Sequence, residues 1–92
     1  MADVLFPLGQ VVATPGALRA LAEAGQEPAE LLDRHASGFW GDVCEEDWRA
    51  NEEALRHGLR ILSSYRLVSG EKLWIITEAD RSATTLLTPQ EY

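Results

Sequence analysis

From Arg60 to Tyr92 the chain reads as three short β-rich runs separated by two tight turns, RILSSYRLVSGEKLWIITEADRSATTLLTPQEY. Ser69-Gly70 signals the first turn and Ala79 to Ser82 (ADRS) the second. With Ser69 and Gly70 as the loop residues, Tyr65 falls opposite Trp74, Ser63 opposite Ile76 and Arg66 opposite Leu73. The second turn sets Leu87 beside Trp74 and Leu86 beside Ile75. One face, with Tyr65, Trp74, Leu87, Ile61 and Ile76, is then expected to meet helices. The other, with Leu62, Ser64, Arg66, Leu73, Ile75, Thr77 and Leu86, is too apolar for full solvation and needs a partial cover.

The segments before this meander are punctuated as helices. Thr14-Pro15 is a start signal, with the hydroxyl as N-cap and proline where its missing donor costs nothing, and Gly25 is the stop. Leu18, Leu21 and Ala22 form a narrow apolar stripe, and Arg19 and Glu23 pair on the solvent side. Pro28 opens a second short helix carrying Leu31, Leu32 and His35, ended by Gly38. GFWGD then reads as a loop folding its rings onto the body. Asp42 and Glu45 have the shape of a capping box for a third helix from about Val43 to His57, with Gly58 as its stop. Cys44, Trp48, Leu55 and Leu59 are its expected core stripe, and Glu45 with Arg49 and Glu52 with Arg56 its four-apart ion pairs. The fold expected is α+β: two or three short N-terminal helices on a three-stranded antiparallel meander. Leu5 to Ala13, interrupted by Pro7 and Gly9, can serve as a fourth, N-terminal edge strand or an extended arm.

Ninety-two residues make a single domain spanning positions 1–92. A formal charge of -7, from fifteen acidic and eight basic side chains, disfavours direct contact with a nucleic-acid backbone or an anionic membrane. The lone Cys44 excludes an internal disulfide, and neither a leader pattern nor a long apolar run is present, so a cytoplasmic protein is expected.

Catalytic signatures are missing from the pattern. No nucleophile elbow occurs, and His35, Cys44 and His57 are spaced unlike compact zinc ligand pairs, so no catalytic residue, metal or cofactor is assigned. Cys44 is expected as a small buried residue, and His35 and His57 as helix-end residues. The polar features that remain are the acidic run and one turn. Asp42, Glu45, Glu46, Arg49, Glu52 and Glu53 present charge from the third helix, and Asp80 and Arg81 occupy the ADRS turn. Together they are the candidate partner-binding residues. A solvated helix face and local turn hydrogen bonds would account for the same residues structurally. Arg60, Arg66 and Lys72 make the sheet region locally basic, so a dipolar molecule able to self-associate is also expected.

The residues GQVVATPGAL, GDVCEEDW followed by NEEAL, and WIITEADRSATTLLTPQEY resemble a family of small bacterial proteins of unassigned function known as plasmid-related proteins. TEADRS followed by TT and a final EY is the most specific part of that pattern, and the likeness spans nearly the whole chain. Phe39 and Thr88 depart from it, where an acidic and an apolar residue are expected. The resemblance implies a gene of plasmids or integrated mobile elements and supplies no catalytic residues. Small size, an acidic helix and that setting together predict a non-enzymatic interaction protein. Its expected partner is a host defence or nucleic-acid-handling protein, inhibited through an acidic helix that acts as a partial phosphate mimic. The alternatives are a self-associating structural or regulatory module, a homodimer covering the Leu62, Ile75 and Leu86 face, and, third, a small enzyme.

Overall fold

The computed structural model describes residues Val4 to Tyr92. Its elements run β1 (Gln10–Ala13), α1 (Pro15–Ala24), α2 (Pro28–Ala36), α3 (Glu45–His57), β2 (Ile61–Arg66), β3 (Lys72–Thr77) and β4 (Ala83–Leu87), closed by a 3₁₀ turn at Pro89–Glu91. The strands form one mixed sheet in the order β1-β4-β3-β2, so the α+β class is as expected and the N-terminal segment is indeed an edge strand, parallel to β4.

Local punctuation sets the helices. Thr14 Oγ1 accepts from the Ala17 amide at 3.1 Å, and Gly25 and Gly58 end α1 and α3 in the left-handed region at φ 66° and 64°. α3 begins at Glu45 with Cys44 as its N-cap and no side-chain cap, so the Asp42 capping box does not form. Three acidic residues in the first turn, Glu45, Glu46 and Asp47, complement the helix dipole instead. At the N-terminus of α1 the Glu91 carboxylate accepts from Thr14 Oγ1 at 2.5 Å and from the Gly16 amide at 3.0 Å. These bonds, with those from Thr88, hold its pKa down to about 2.

The first hairpin differs from expectation by one residue. Its loop has three residues, Val68, Ser69 and Gly70, because Gly70 turns at φ 95° while Leu67 N donates to Glu71 O and Gly70 N to Leu67 O, both at 2.8 Å. Tyr65 therefore pairs with Leu73 rather than Trp74, Ser63 with Ile75 rather than Ile76, and Arg66 with Lys72 rather than Leu73. A one-residue slip exchanges the two faces of a strand relative to its neighbour. The second hairpin keeps the expected register, Trp74 with Leu87 and Ile75 with Leu86.

The helix-facing side of the sheet is consequently Ile61, Ser63, Tyr65, Leu73, Ile75, Thr77, Thr84 and Leu86, all buried. Ala17, Ala20 and Leu21 of α1 and Leu31 of α2 pack on it. The apolar stripe of α1 thus lies one position away from Leu18 and Ala22, which are exposed, since small alanines let the helix approach closely. Ile75 and Leu86, expected to meet a twin, lie beneath the chain's own helices. Trp74, Ile76 and Leu87 are on the opposite face, where Tyr92 packs edge-on against Trp74 with centroids 5.6 Å apart.

α3 packs along the outer border of β2. Ala54 is buried against Phe6, Trp40 and Ile61, and Asn51 is buried beside it. The Asn51 amide imitates a strand: Nδ2 donates to Leu62 O at 2.7 Å and Oδ1 accepts from Leu62 N at 3.1 Å. One turn further along, Ser64 N donates to Trp40 O at 3.0 Å and Asp42 N to Ser64 O at 2.5 Å. The inward face of α3 is therefore Asn51 and Ala54, and Cys44, Trp48 and Leu59 of the expected core stripe are exposed. Asn51→Ala is expected to cost about 2 kcal/mol, because it strands both backbone groups of Leu62. Urea unfolding and amide exchange at Leu62 would measure it, and unchanged values for both would contradict this account.

Candidate functional site

The GFWGD loop divides its two aromatic rings between the core and the surface. Trp40 is fully buried, its Nε1 donating to Glu52 Oε2 at 3.0 Å and its ring stacked on Phe6 at 6.2 Å. Phe39 is 61% exposed. The loop folds this way because Gly41, at φ 80°, lies so close to the Ser64 carbonyl and the Tyr65 ring that no side chain fits there. The Tyr65 hydroxyl fixes the outer half of the loop by donating to the Phe39 carbonyl at 2.5 Å. Burial pushes that phenol up to about 12, so it remains a donor.

Trp48 of α3, 39% exposed, borders the same surface as Phe39. Arg34, Phe39, Gly41, Trp48 and Tyr65 line an open groove of about 530 Å³. Asp42 follows Gly41 at its end, and Glu45 and Glu52 lie a turn before and after Trp48 on α3. Arg34 Nη2 is held by Glu30 Oε1 at 3.3 Å.

The candidate residues named from sequence fall into two groups at opposite ends of α3. At the first end Arg49 pairs with Glu45 at 2.7 Å, and Asp42 approaches Lys72 at 3.4 Å and Arg66 at 3.9 Å. Glu52 serves the Trp40 indole rather than Arg56, and Glu53 lies 3.2 Å from His57. Much of the acidic row is thus engaged within the chain, and the basic patch expected on the sheet is partly matched by Asp42. Glu46 is exposed in the first turn.

At the other end, Asp80 Oδ1 accepts from the Ser82 amide at 3.0 Å, and hydrogen bonding from the Ser82 side chain and then its amide lowers the Asp80 pKa. Arg81, expected at the surface, turns inward from a left-handed backbone at φ 63°. Its guanidinium donates to the carbonyls of Leu59 at 2.6 Å, Ala54 at 2.9 Å, Glu78 at 3.1 Å and Ala79 at 3.2 Å. It also lies 5.6 Å over the Phe6 ring. A cation on the last-turn carbonyls of α3 is favoured by the helix dipole, so Arg81 joins α3 to the second hairpin.

His35 lies in the last turn of α2, as expected of a helix-end residue, and its side chain enters the core. It is fully buried, with Nδ1 2.5 Å from Ser63 Oγ and Nε2 2.8 Å from Thr77 Oγ1. Thr77 Oγ1 is 2.7 Å from Thr84 Oγ1, which donates to the Leu8 carbonyl at 2.7 Å. A carbonyl can only accept, so the whole chain is directional: Thr84 donates to Leu8, Thr77 to Thr84, His35 Nε2 to Thr77 and Ser63 to His35 Nδ1. Burial holds this neutral imidazole's pKa down to about 4. Among the described residues, no three His, Cys, Asp or Glu side chains gather as a metal ion would require. Cys44 is exposed rather than buried. No helix among the described residues is long and apolar enough to cross a membrane.

Comparison with family profiles, curated proteins and solved structures finds no match for the chain.

Proposed function

We propose that the chain is a non-enzymatic interaction domain that binds a protein partner in the groove between Phe39 and Trp48. The observation that carries this reading is a pair of exposed aromatic residues lining one groove of about 530 Å³. Aromatic anchors in concave, partly desolvated surfaces supply most of the binding energy in protein interfaces. Asp42, Glu45 and Glu52 beside the groove favour a basic partner surface, of the kind carried by proteins that handle nucleic acid. The ion pairs along α3 make its charge a selector of partner more than a continuous phosphate mimic. The resemblance to plasmid-related proteins adds the setting of a mobile-element product that inhibits a host defence or nucleic-acid-handling protein in the cytoplasm.

The test is affinity capture from a bacterial host, with wild type, a Phe39→Ala/Trp48→Ala variant and a charge reversal at Glu45, Glu46 and Glu53 compared side by side. A basic protein is expected to bind wild type, to be lost from the groove variant and to bind the charge-reversed variant more slowly at low salt. Equal capture by all three would sink the proposal.

A further inference from the structure

The two borders of the sheet are treated differently. On β2 the outward-facing groups of Leu62 and Ser64 are occupied by Asn51, Trp40 and Asp42. On β1, Gln10 N donates to Ser82 O and Thr14 N to Leu86 O, both at 3.0 Å. Strand alternation therefore aims the N–H and C=O of Val11 and Ala13 away from β4. Among the described residues no strand lies beyond them. Val11 and Val12 are 44% and 42% exposed, and Gln10–Ala13 contains no charge or proline of the kind that usually blunts an open edge.

Charge decides which occupant fits. The chain carries -7 overall, yet no charged side chain occurs from Val4 to Leu18. Two copies repel across most of their surfaces and approach with least penalty along this neutral segment. The strand itself offers a basic partner no charge to pair with, the Glu91 carboxylate beyond its end being held by Thr14 and Gly16. The edge is also self-complementary. In an antiparallel two-fold arrangement Val11 of each copy and Ala13 of the other exchange both hydrogen bonds, while Val12 faces Val12 across the axis.

We infer that a second copy of the chain docks along β1, extending the sheet through both molecules. Placing Val12 at the two-fold axis makes the test sharp, because Val12→Lys sets two like charges directly opposite each other. Light scattering over a concentration series should show a monomer–dimer equilibrium for wild type, with the dissociation constant raised at least about tenfold in V12K. Mixing V12K with V12E should restore association. Amide exchange of wild type gives a second readout that needs no variant. Val11 and Ala13 should slow as concentration rises, whereas Leu62 and Ser64 should be slow throughout. A wild type that stays monomeric at every concentration overturns the inference, and so does a dimer whose Val11 and Ala13 amides exchange as fast as in the monomer.

Discussion

Between about pH 6.5 and about pH 4 the folded chain is expected to lose about 3 kcal/mol of stability through one side chain, His35. Burial depresses its folded pKa from 6.5 to about 4, so over this interval the unfolded chain takes up a proton that the folded chain refuses. The contribution is therefore complete above the unfolded pKa and drains away as the pH falls towards the folded one. No carboxylate compensates, because the ring's hydrogen-bond partners are Ser63 and Thr77, and Phe6 and Trp40 pack against it. His35→Leu should remove this dependence while destabilising the protein near pH 7 by about 2 kcal/mol or more, since the Ser63 and Thr77 hydroxyls each lose a partner. Urea unfolding of both proteins at several pH values would give curves that converge on acidification. Parallel curves would show that His35 does not titrate between the two states. The Glu91 carboxylate acts in a separate window. Its lowered pKa means its contribution is present above the ordinary value of 4.5 and is lost as the pH falls towards about 2.

Adjacent substitutions in the GFWGD loop should have opposite consequences. Trp40→Ala removes a fully buried ring that touches Phe6 and His35 and whose indole is fixed by Glu52, and is expected to cost about 3–5 kcal/mol. Phe39→Ala, at an exposed position, should leave stability within about 0.5 kcal/mol. It should nevertheless weaken partner binding about tenfold or more, as expected for an aromatic anchor. Thermal unfolding and titration with the captured partner separate the two effects. If Phe39→Ala proved strongly destabilising, the division between a buried and a presented ring would be wrong. If it bound the partner normally, the groove would not be the binding surface.

What could be read from the sequence was what depends on neighbours along the chain. Thr14-Pro15, Gly25 and Gly58 act through local backbone geometry, and the helix limits they signal are those found. The four-apart pairs Arg19–Glu23 and Glu45–Arg49 form for the same reason. Ser69-Gly70 marked the correct turn but not its length. A two-residue and a three-residue loop both place glycine in the left-handed region, and that ambiguity exchanged the expected faces of β3 and β4 while Ile61 and Tyr65 of β2 stayed on the helix side. Trp48 was expected inside because α3 has few apolar residues from which to choose an inner face. The helix instead uses a small residue and an amide, Ala54 and Asn51, against a strand border. Both rings of GFWGD were expected to fold onto the body, which Trp40 does and Phe39 does not, so neither Phe39 nor Trp48 was legible as a wall of the groove. The partners of His35 lie 28 and 42 residues away. The available hint was the hydroxyl row Ser63, Thr77 and Thr84 within otherwise apolar strands, a sign of polar groups that satisfy one another in the core.

The sealed border of β2 has a consequence for assembly size. A sheet that offered both flanks could add copies indefinitely, as fibrils do, and a neutral, valine-bearing flank would make that hazard real. Here Asn51 and the Trp40 to Asp42 segment act as a terminator. In the pair inferred along β1, the outward flanks would be the two β2 borders covered at Leu62 and Ser64, so growth would stop at two molecules.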